Sequence, residues 1–480
     1  MAVIPWGGLI DELWFTIVVV LSQKELSSLG QTSRRFSELC RPPLFRKVKV
    51  NQNNAKGPLS LLAREKHLAR QVEELIIERT KTDHEETDNP LLNVQAISNM
   101  IFLKSIRIYG VICRNEDEAY QFGLLISQRP LESLFYTNNT MLPSIEIGQG
   151  YMDGIRALTN IVWDDASESS VEPMFKMLTN SRETLESIAL PFRVRFVEFY
   201  DPLWRMRFPR LRTFLLGPWV PYSTTHGPRI SAELTTFILS HGESLTGIDI
   251  EYREHDGMDS LCFLSSSYPH VINQDALPNL TYFRGHSSFI TSMANMGMLS
   301  LANALENLVV GAGEFSPMLE FRHMFEAVKA HDEINSFAAL KQIYIDFSGV
   351  GLEKGRIKKI VKLCAECCGD SLEIWHGMIP GSARFTFDEF YQLFEPFKKL
   401  RVLHYDSRSV LQGPGGTSMH MRLLGTKCST LEEVYLYQIP WTADRWQIYR
   451  NKERGVTGVF MKTFSLRDRR DGRFDIREEI

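Results

Sequence analysis

One short phrase recurs along most of this chain and leaves few folds open: apolar-x-x-apolar-x-apolar. It begins at Val72, Leu103, Leu131, Leu158, Leu185, Leu211, Leu245, Leu280, Leu305, Leu340, Leu372, Leu400 and Leu431, in steps of 25–35 residues. A loose motif matches by chance somewhere, but not thirteen times at such even spacing. Inside each phrase, residues four and six alternate with residue five, which is the period of a strand. Between phrases the apolar residues fall at helical spacing, as in residues 230–241, 317–331, 354–368 and 387–398. A strand, a turn and a helix repeated every ~30 residues describe stacked units, with parallel strands on one face and helices on the other.

This pattern resembles the leucine-rich-repeat family. The resemblance implies an α/β solenoid with parallel strands inside and helices outside. The departures are specific. The asparagine or cysteine that the family places eight residues past the first leucine occurs only at Asn139; elsewhere that slot holds Val111, Arg193, Trp219, Ser288 or Pro380. The step also exceeds the usual repeat of about 20–29 residues. The expectation is therefore an irregular array without an asparagine ladder. The rival fold is a doubly wound α/β domain built of repeated βα units. Even spacing weighs against it, as does the lack of a glycine-rich phosphate turn after any early strand.

Residues 9–50 are of a different kind. Leu9, Leu13, Ile17 and Leu21 recur every fourth residue, one face of a helix. Ser22 reads as the N-cap of a second short helix, with Glu25 completing a capping box. Thr32 or Ser33 reads as the cap of a third, which Pro42-Pro43 is expected to stop. Such a segment buries little core, and Trp14, Phe15, Val18, Val19 and Val20 widen its apolar stripe beyond what three short helices can hide. A surface of that kind is expected to meet a partner.

The segment resembles an F-box. The matching residues are Leu9, Glu12-Leu13, Ile17, Leu21, Ser22, Glu25-Leu26, Leu29, Thr32-Ser33-Arg34-Arg35-Phe36 and Leu39. The run Arg41-Pro42-Pro43-Leu44-Phe45-Arg46 is similar to the exit of fungal F-box proteins. One departure is Ile10 at the usual proline position, with Pro5 five residues earlier. The resemblance implies docking on a Skp-family adaptor, and through it a cullin, by Leu9, Leu13, Ile17, Leu21, Leu26, Leu29 and Phe36.

The expected organisation is an F-box over residues 1–50, a hinge over 51–67, the repeats over 68–440, and a charged capping or flexible tail over 441–480. Residues 80–90 read as an exposed acidic loop and 412–417 as a turn tip. A net charge of −4 gives no global attraction to nucleic acid or membranes. The basic residues Arg467, Arg469, Arg470 and Arg473 are diluted by Asp468, Asp471 and Asp475. The apolar run 13–21 is shorter than a span needs and is preceded by acids rather than basic residues. Seven scattered cysteines point to reduced thiols, hence cytoplasm or nucleus.

No motif calls for a cofactor. Cys364, Cys367 and Cys368 share a helical face with Ile360, where cysteine packs as a small hydrophobe; a metal site would need His376 as its fourth ligand. Gly148-Gln149-Gly150 and Gly413-Pro414-Gly415-Gly416 lack the lysine of a phosphate loop, and Asp164-Asp165 has no partner motif. No G-x-S-x-G elbow is present.

Residue five of each phrase should face outward on the strand surface. In the last four phrases it is Tyr344, His376, His404 and Tyr435, with Tyr437 in a neighbouring slot. An exposed aromatic row on rigid strands suits capture of a protein substrate. Together the two resemblances imply the substrate-recognition subunit of an SCF-type ubiquitin ligase, which itself does no bond chemistry. The alternatives are a non-ligase interaction scaffold and, further off, an α/β enzyme with its site at strand C-terminal ends.

Overall fold

The computed structural model describes residues 11–51, 56–78, 93–109, 116–137, 154–164, 168–190, 201–219, 227–252, 275–311, 317–331, 336–345, 353–377, 384–406, 416–438, 442–450 and 456–465. It is mixed α/β and divides into two compact units, Met1–Leu211 and Arg212–Ile480. No helix among the described residues is long and apolar enough to cross a membrane.

The first unit opens with α1 (Asp11–Val19), α2 (Gln23–Gly30) and α3 (Arg34–Arg46). Ser22 caps α2 through the reciprocal capping box with Glu25, and Ser33 caps α3 by accepting from the Phe36 N–H at 3.2 Å. Pro42 and Pro43 do not stop α3, which runs on to Arg46. Two missing N–H donors weaken that turn. Packing compensates: Leu44 lies against the small core of Val18, Leu26 and Cys40, and the Arg46 carbonyl accepts the Glu73 N–H at 2.9 Å.

Strands β1 (Lys47–Asn51), β2 (Glu74–Glu78), β3 (Ser105–Tyr109), β4 (Ser133–Thr137), β5 (Asn160–Asp164) and β6 (Ser187–Leu190) follow, all parallel and in sequence order. β1 precedes the first leucine phrase. Residues assigned to the end of the helical segment and the start of a hinge are the first strand. Lys47-Val48-Lys49-Val50 alternates, with both valines buried, but it carries no leucine phrase to announce it.

The second unit holds β7 (Thr213–Trp219), β8 (Gly247–Tyr252), β9 (Tyr282–His286), β10 (Asn307–Gly311), β11 (Gln342–Ile345), β12 (Ile374–Gly377), β13 (Val402–Asp406) and β14 (Glu433–Gln438), again parallel and in order. Two antiparallel strands complete it: β15 (Thr442–Arg450) on β14, and β16 (Val456–Ser465) on β15. They occupy part of the segment read as a tail.

Each of the thirteen phrases carries a strand that begins two residues after its first apolar residue. Residues four and six are buried in every phrase, as in Leu75 and Ile77, Ile106 and Ile108, or Ile343 and Ile345. In the second unit helical aromatics pack on them: Phe237 on Phe214 at 5.0 Å, Phe289 on Phe283 at 4.8 Å and Phe394 on Trp375 at 5.5 Å between ring centroids. The helices stand close to where the spacing places them, Lys354–Cys368 to the residue.

A backbone device joins successive phrases. The carbonyl of phrase residue two accepts two N–H groups from the next phrase, those of its residues two and three. In the first unit Glu73, Lys104, Glu132 and Thr159 do this; in the second, Arg212, Thr246, Thr281, Glu306, Lys341, Glu373 and Arg401 do, all at 2.7–3.1 Å. These backbone polar groups are thus paired without an asparagine ladder. The side chains of the same residues alternate in sign from Glu306 through Lys341, Glu373 and Arg401 to Glu432, with ion pairs at 2.8 Å (Lys341–Glu306), 3.6 Å (Arg401–Glu373) and 2.8 Å (Arg401–Glu432).

Candidate partner-binding surfaces

The first surface is α1. Its inner face holds Trp14 and Val18, both buried; the Trp14 ring meets Phe36 edge-on at 4.7 Å. Its outer face shows Leu13 (49% exposed) and Ile17 (38%) to solvent, and Val20, one residue past its end, is 80% exposed. Leu13 and Ile17, left outside while Trp14 and Val18 are packed, form with Val20 an exposed apolar row. The other residues marked for docking are placed differently. Leu26 is buried, Leu21 and Leu29 are half-buried against Val18, Leu26 and Cys40, and Phe36 is half-buried on Trp14. These hold the helices that present Leu13 and Ile17. Leu9 lies outside the described residues.

The second surface is the row on β11–β14. Pairing sets Tyr344 opposite His376, His376 opposite His404, and His404 opposite Tyr435. The register is regular, but the row is not an exposed one. His376, His404 and Tyr437 are buried, while Tyr344 and Tyr435 are half-buried. The reason is stacking. The two imidazoles lie 4.2 Å apart, His404 lies 4.3 Å from the Tyr435 ring and nearly parallel to it, and Tyr344 meets His376 edge-on at 4.8 Å. The Tyr437 hydroxyl stands 2.9 Å from His404 Nδ1 and 3.5 Å from His376 Nε2, and so can donate to one ring and accept from the other. Burial holds the His376 pKa down at about 3 and pushes that of His404 well below its usual value, so both rings are neutral near pH 7.

Beyond Tyr435 the row becomes charged. The Arg445 guanidinium lies 5.8 Å from the Tyr435 ring centroid and pairs with Glu433, which also accepts from the Tyr435 hydroxyl at 3.1 Å. Burial alone would raise the Glu433 pKa; Arg445, Tyr435 and Gln447 more than offset it, so the carboxylate stays ionised below its usual range. Accessible aromatics stand on the same face of the terminal hairpin. Gln447 and Tyr449 share the Arg445 side of β15, and Phe460 pairs with Gln447. Tyr449 is 51% and Phe460 55% exposed. Sequence reasoning missed both because they follow the last leucine phrase. The alternation Arg445-x-Gln447-x-Tyr449 was their signal.

Other candidates resolve into packing. Cys364, Cys367 and Cys368 are buried in the second unit's core, with Cys364 Sγ 3.5 Å from Cys368 Sγ, and burial raises the Cys367 pKa to about 12. His376 does not join them. It stacks on the face opposite Trp375, whose ring packs against helix residues Phe394 and Phe397. Tyr405 turns inward onto Phe390 at 4.5 Å. Asp165, Asn139, Gly148, Gly150, Gly413, the acidic loop 80–90 and the basic residues from Arg467 onward lie outside the described residues.

Comparison with protein-family models finds no match to this chain, and a search of curated proteins finds none either.

Proposed function

We propose that this chain is the substrate-recognition subunit of an SCF-type cullin ubiquitin ligase. In this reading α1–α3 form an F-box that docks a Skp-family adaptor. The repeated units form an irregular leucine-rich-repeat solenoid that holds a protein substrate, in the cytoplasm or nucleus. The chain's share of ligation is proximity, raising the concentration of a target lysine near the conjugating machinery. The ligation chemistry belongs to other subunits.

The observation that carries the reading is the outward pair Leu13 and Ile17 on α1, continued by Val20 just past its end, opposite a helix face that is already packed. Parallel strands in sequence order, with helices between them, support the repeat assignment.

Affinity purification of the full chain, beside a variant lacking residues 9–50, tests it by asking whether adaptor and cullin copurify only with the former. The sharper test is Leu13→Asp with Ile17→Asp. Neither side chain belongs to the buried core, so the substitutions cost little packing, while each buried in an interface would contribute ~1.5–3 kcal/mol. Adaptor capture should vanish with the fold intact. Undiminished capture by the double variant refutes the F-box assignment.

A further inference from the structure

The outer edge of β16 has the composition of a strand that meets another strand. β16 runs for ten residues, Val456–Ser465, as V-T-G-V-F-M-K-T-F-S, with Lys462 its one charged residue. Among the described residues it pairs only with β15. Its other edge presents backbone N–H and C=O groups in a row, the template on which a further strand adds. Chains that must stay apart guard such an edge with lysines, prolines or a covering segment. The first strand does so: Lys47 and Lys49 stand exposed along β1, and Gln23 Nε2 donates to the Lys47 carbonyl at 2.9 Å. β16 instead exposes Phe460 and Met461 at its middle, one on each face.

A second copy of the same strand fits this edge. In a two-fold antiparallel pair one residue stands opposite its own copy, and opposed residues share a face. With Lys462 on the axis two lysines would meet, which is unfavourable. With Phe460 on the axis the two rings meet, Met461 meets Val459 of the copy, and Lys462 meets Gly458 of the copy. A Cβ on Gly458 would have nothing within 4 Å, so the lysine stem has open space to cross. Gly458 pairs with Tyr449 on β15, so the exposed Tyr449 ring lies beyond that opening, in the direction of the ammonium group. The one charge in the strand thus meets an opening and an aromatic ring rather than a like charge.

We propose that this chain forms a two-fold dimer by antiparallel pairing of β16 with β16 of a second copy, Phe460 lying on the axis. The backbone of the edge supplies the hydrogen bonds, and Phe460, Met461 and Val459 supply the apolar contact. The pairing joins the sheets edge to edge, so the face that carries Tyr435, Arg445 and Tyr449 continues into that of the copy. Side chains stand on the faces of a sheet, not in its edge, so Phe460 remains accessible on that shared face. The contact requires neither adaptor nor substrate and does not rest on the ligase reading.

Sedimentation equilibrium of the full chain from ~1 to ~100 μM, the range of weak to moderate contacts, should show a monomer–dimer equilibrium. Phe460→Glu and Phe460→Lys each put like charges on the axis, and each should weaken the dimer at least tenfold. Mixed in equal amounts, the two variants should form a heterodimer, identified by its native mass, that is tighter than either variant alone. Phe102→Glu alters an equally exposed ring in the first unit and should leave the dimer as it is. Thermal unfolding of each variant checks its fold. A wild-type chain that stays monomeric at ~100 μM overturns the proposal, the edge then being closed within the chain or kept for another partner. So does a dimer that Phe460→Glu leaves unchanged, or a mixture no tighter than its parts. A dimer tightened by Phe460→Glu would put Met461 on the axis, with residue 460 facing Lys462 of the copy, and would overturn the register proposed.

Discussion

The buried imidazole pair makes a prediction about acid stability. His376 has its pKa lowered from 6.5 to about 3 by burial, so below pH 6.5 the unfolded chain binds a proton that the folded chain refuses. The folded value lies below the unfolded one. The contribution is therefore fully present above pH 6.5 and is lost as pH falls toward 3. Each pH unit in that window costs about 1.4 kcal/mol, so lowering the pH from 6.5 to about 5 removes ~2 kcal/mol through His376 alone. His404 acts in the same direction. His376→Gln keeps an amide near the Tyr437 hydroxyl but cannot titrate. Urea unfolding of wild type and variant, followed by tryptophan fluorescence from about pH 7.5 to 5, isolates the effect. Surface carboxylates titrate alike in both proteins and cancel. The wild-type stability should fall more steeply, the gap closing by ~2 kcal/mol. Parallel curves would show that the ring is not held neutral by burial, and the stacked row would then not be the closed structure described.

Three more perturbations follow from the same geometry. Gly377→Ala would set a Cβ 2.8 Å from Trp375 Nε1, so denaturant unfolding should show a loss of ~1–3 kcal/mol, whereas Gly311→Ala, with open space around it, should show far less. Lys341→Glu would put three like charges in a row with Glu306 and Glu373; the second unit should melt earlier at low salt, with the difference fading at high salt. Tyr435→Ala with Phe460→Ala should weaken capture of a protein substrate by about tenfold, ~1.4 kcal/mol, without changing adaptor binding; equal capture by the variant would move the substrate surface elsewhere.

The strands were legible because each is written as a buried pair at phrase residues four and six. Burial on one face fixes register, and register fixes which residues share a row. That is why Tyr344, His376, His404 and Tyr435 fall in line from spacing alone. Their accessibility was not legible. It depends on ring–ring distances and on Tyr437, from a neighbouring slot, reaching two imidazoles at once. The same limit applies to α1: the period places Leu13 and Ile17 on one side, but only the position of α3, through Phe36 and Leu44, decides that Trp14 and Val18 face inward instead. Strand β1 escaped because two valines cannot outweigh the helical run before them, and the terminal hairpin because antiparallel strands need no leucine phrase.

Two phrases break the rule of a bulky sixth residue, and they break it in a related way. Leu280 begins L-T-Y-F-R-G and Leu372 begins L-E-I-W-H-G. In both, glycine at position six follows a large aromatic ring at position four, and the ring lies over the place where the missing side chain would stand. A Cβ on Gly285 would come 2.7 Å from Phe283, as one on Gly377 would from Trp375 Nε1 at 2.8 Å. In these two phrases the ring at position four fills the space that a sixth side chain would need. The two positions act as one packing site split across a strand. Enlarging the sixth residue should therefore be tolerated only when the fourth shrinks. Gly377→Val should be rescued in part by Trp375→Leu, though each change alone destabilises. Additive losses in that double-variant cycle would show that the two side chains do not share the space.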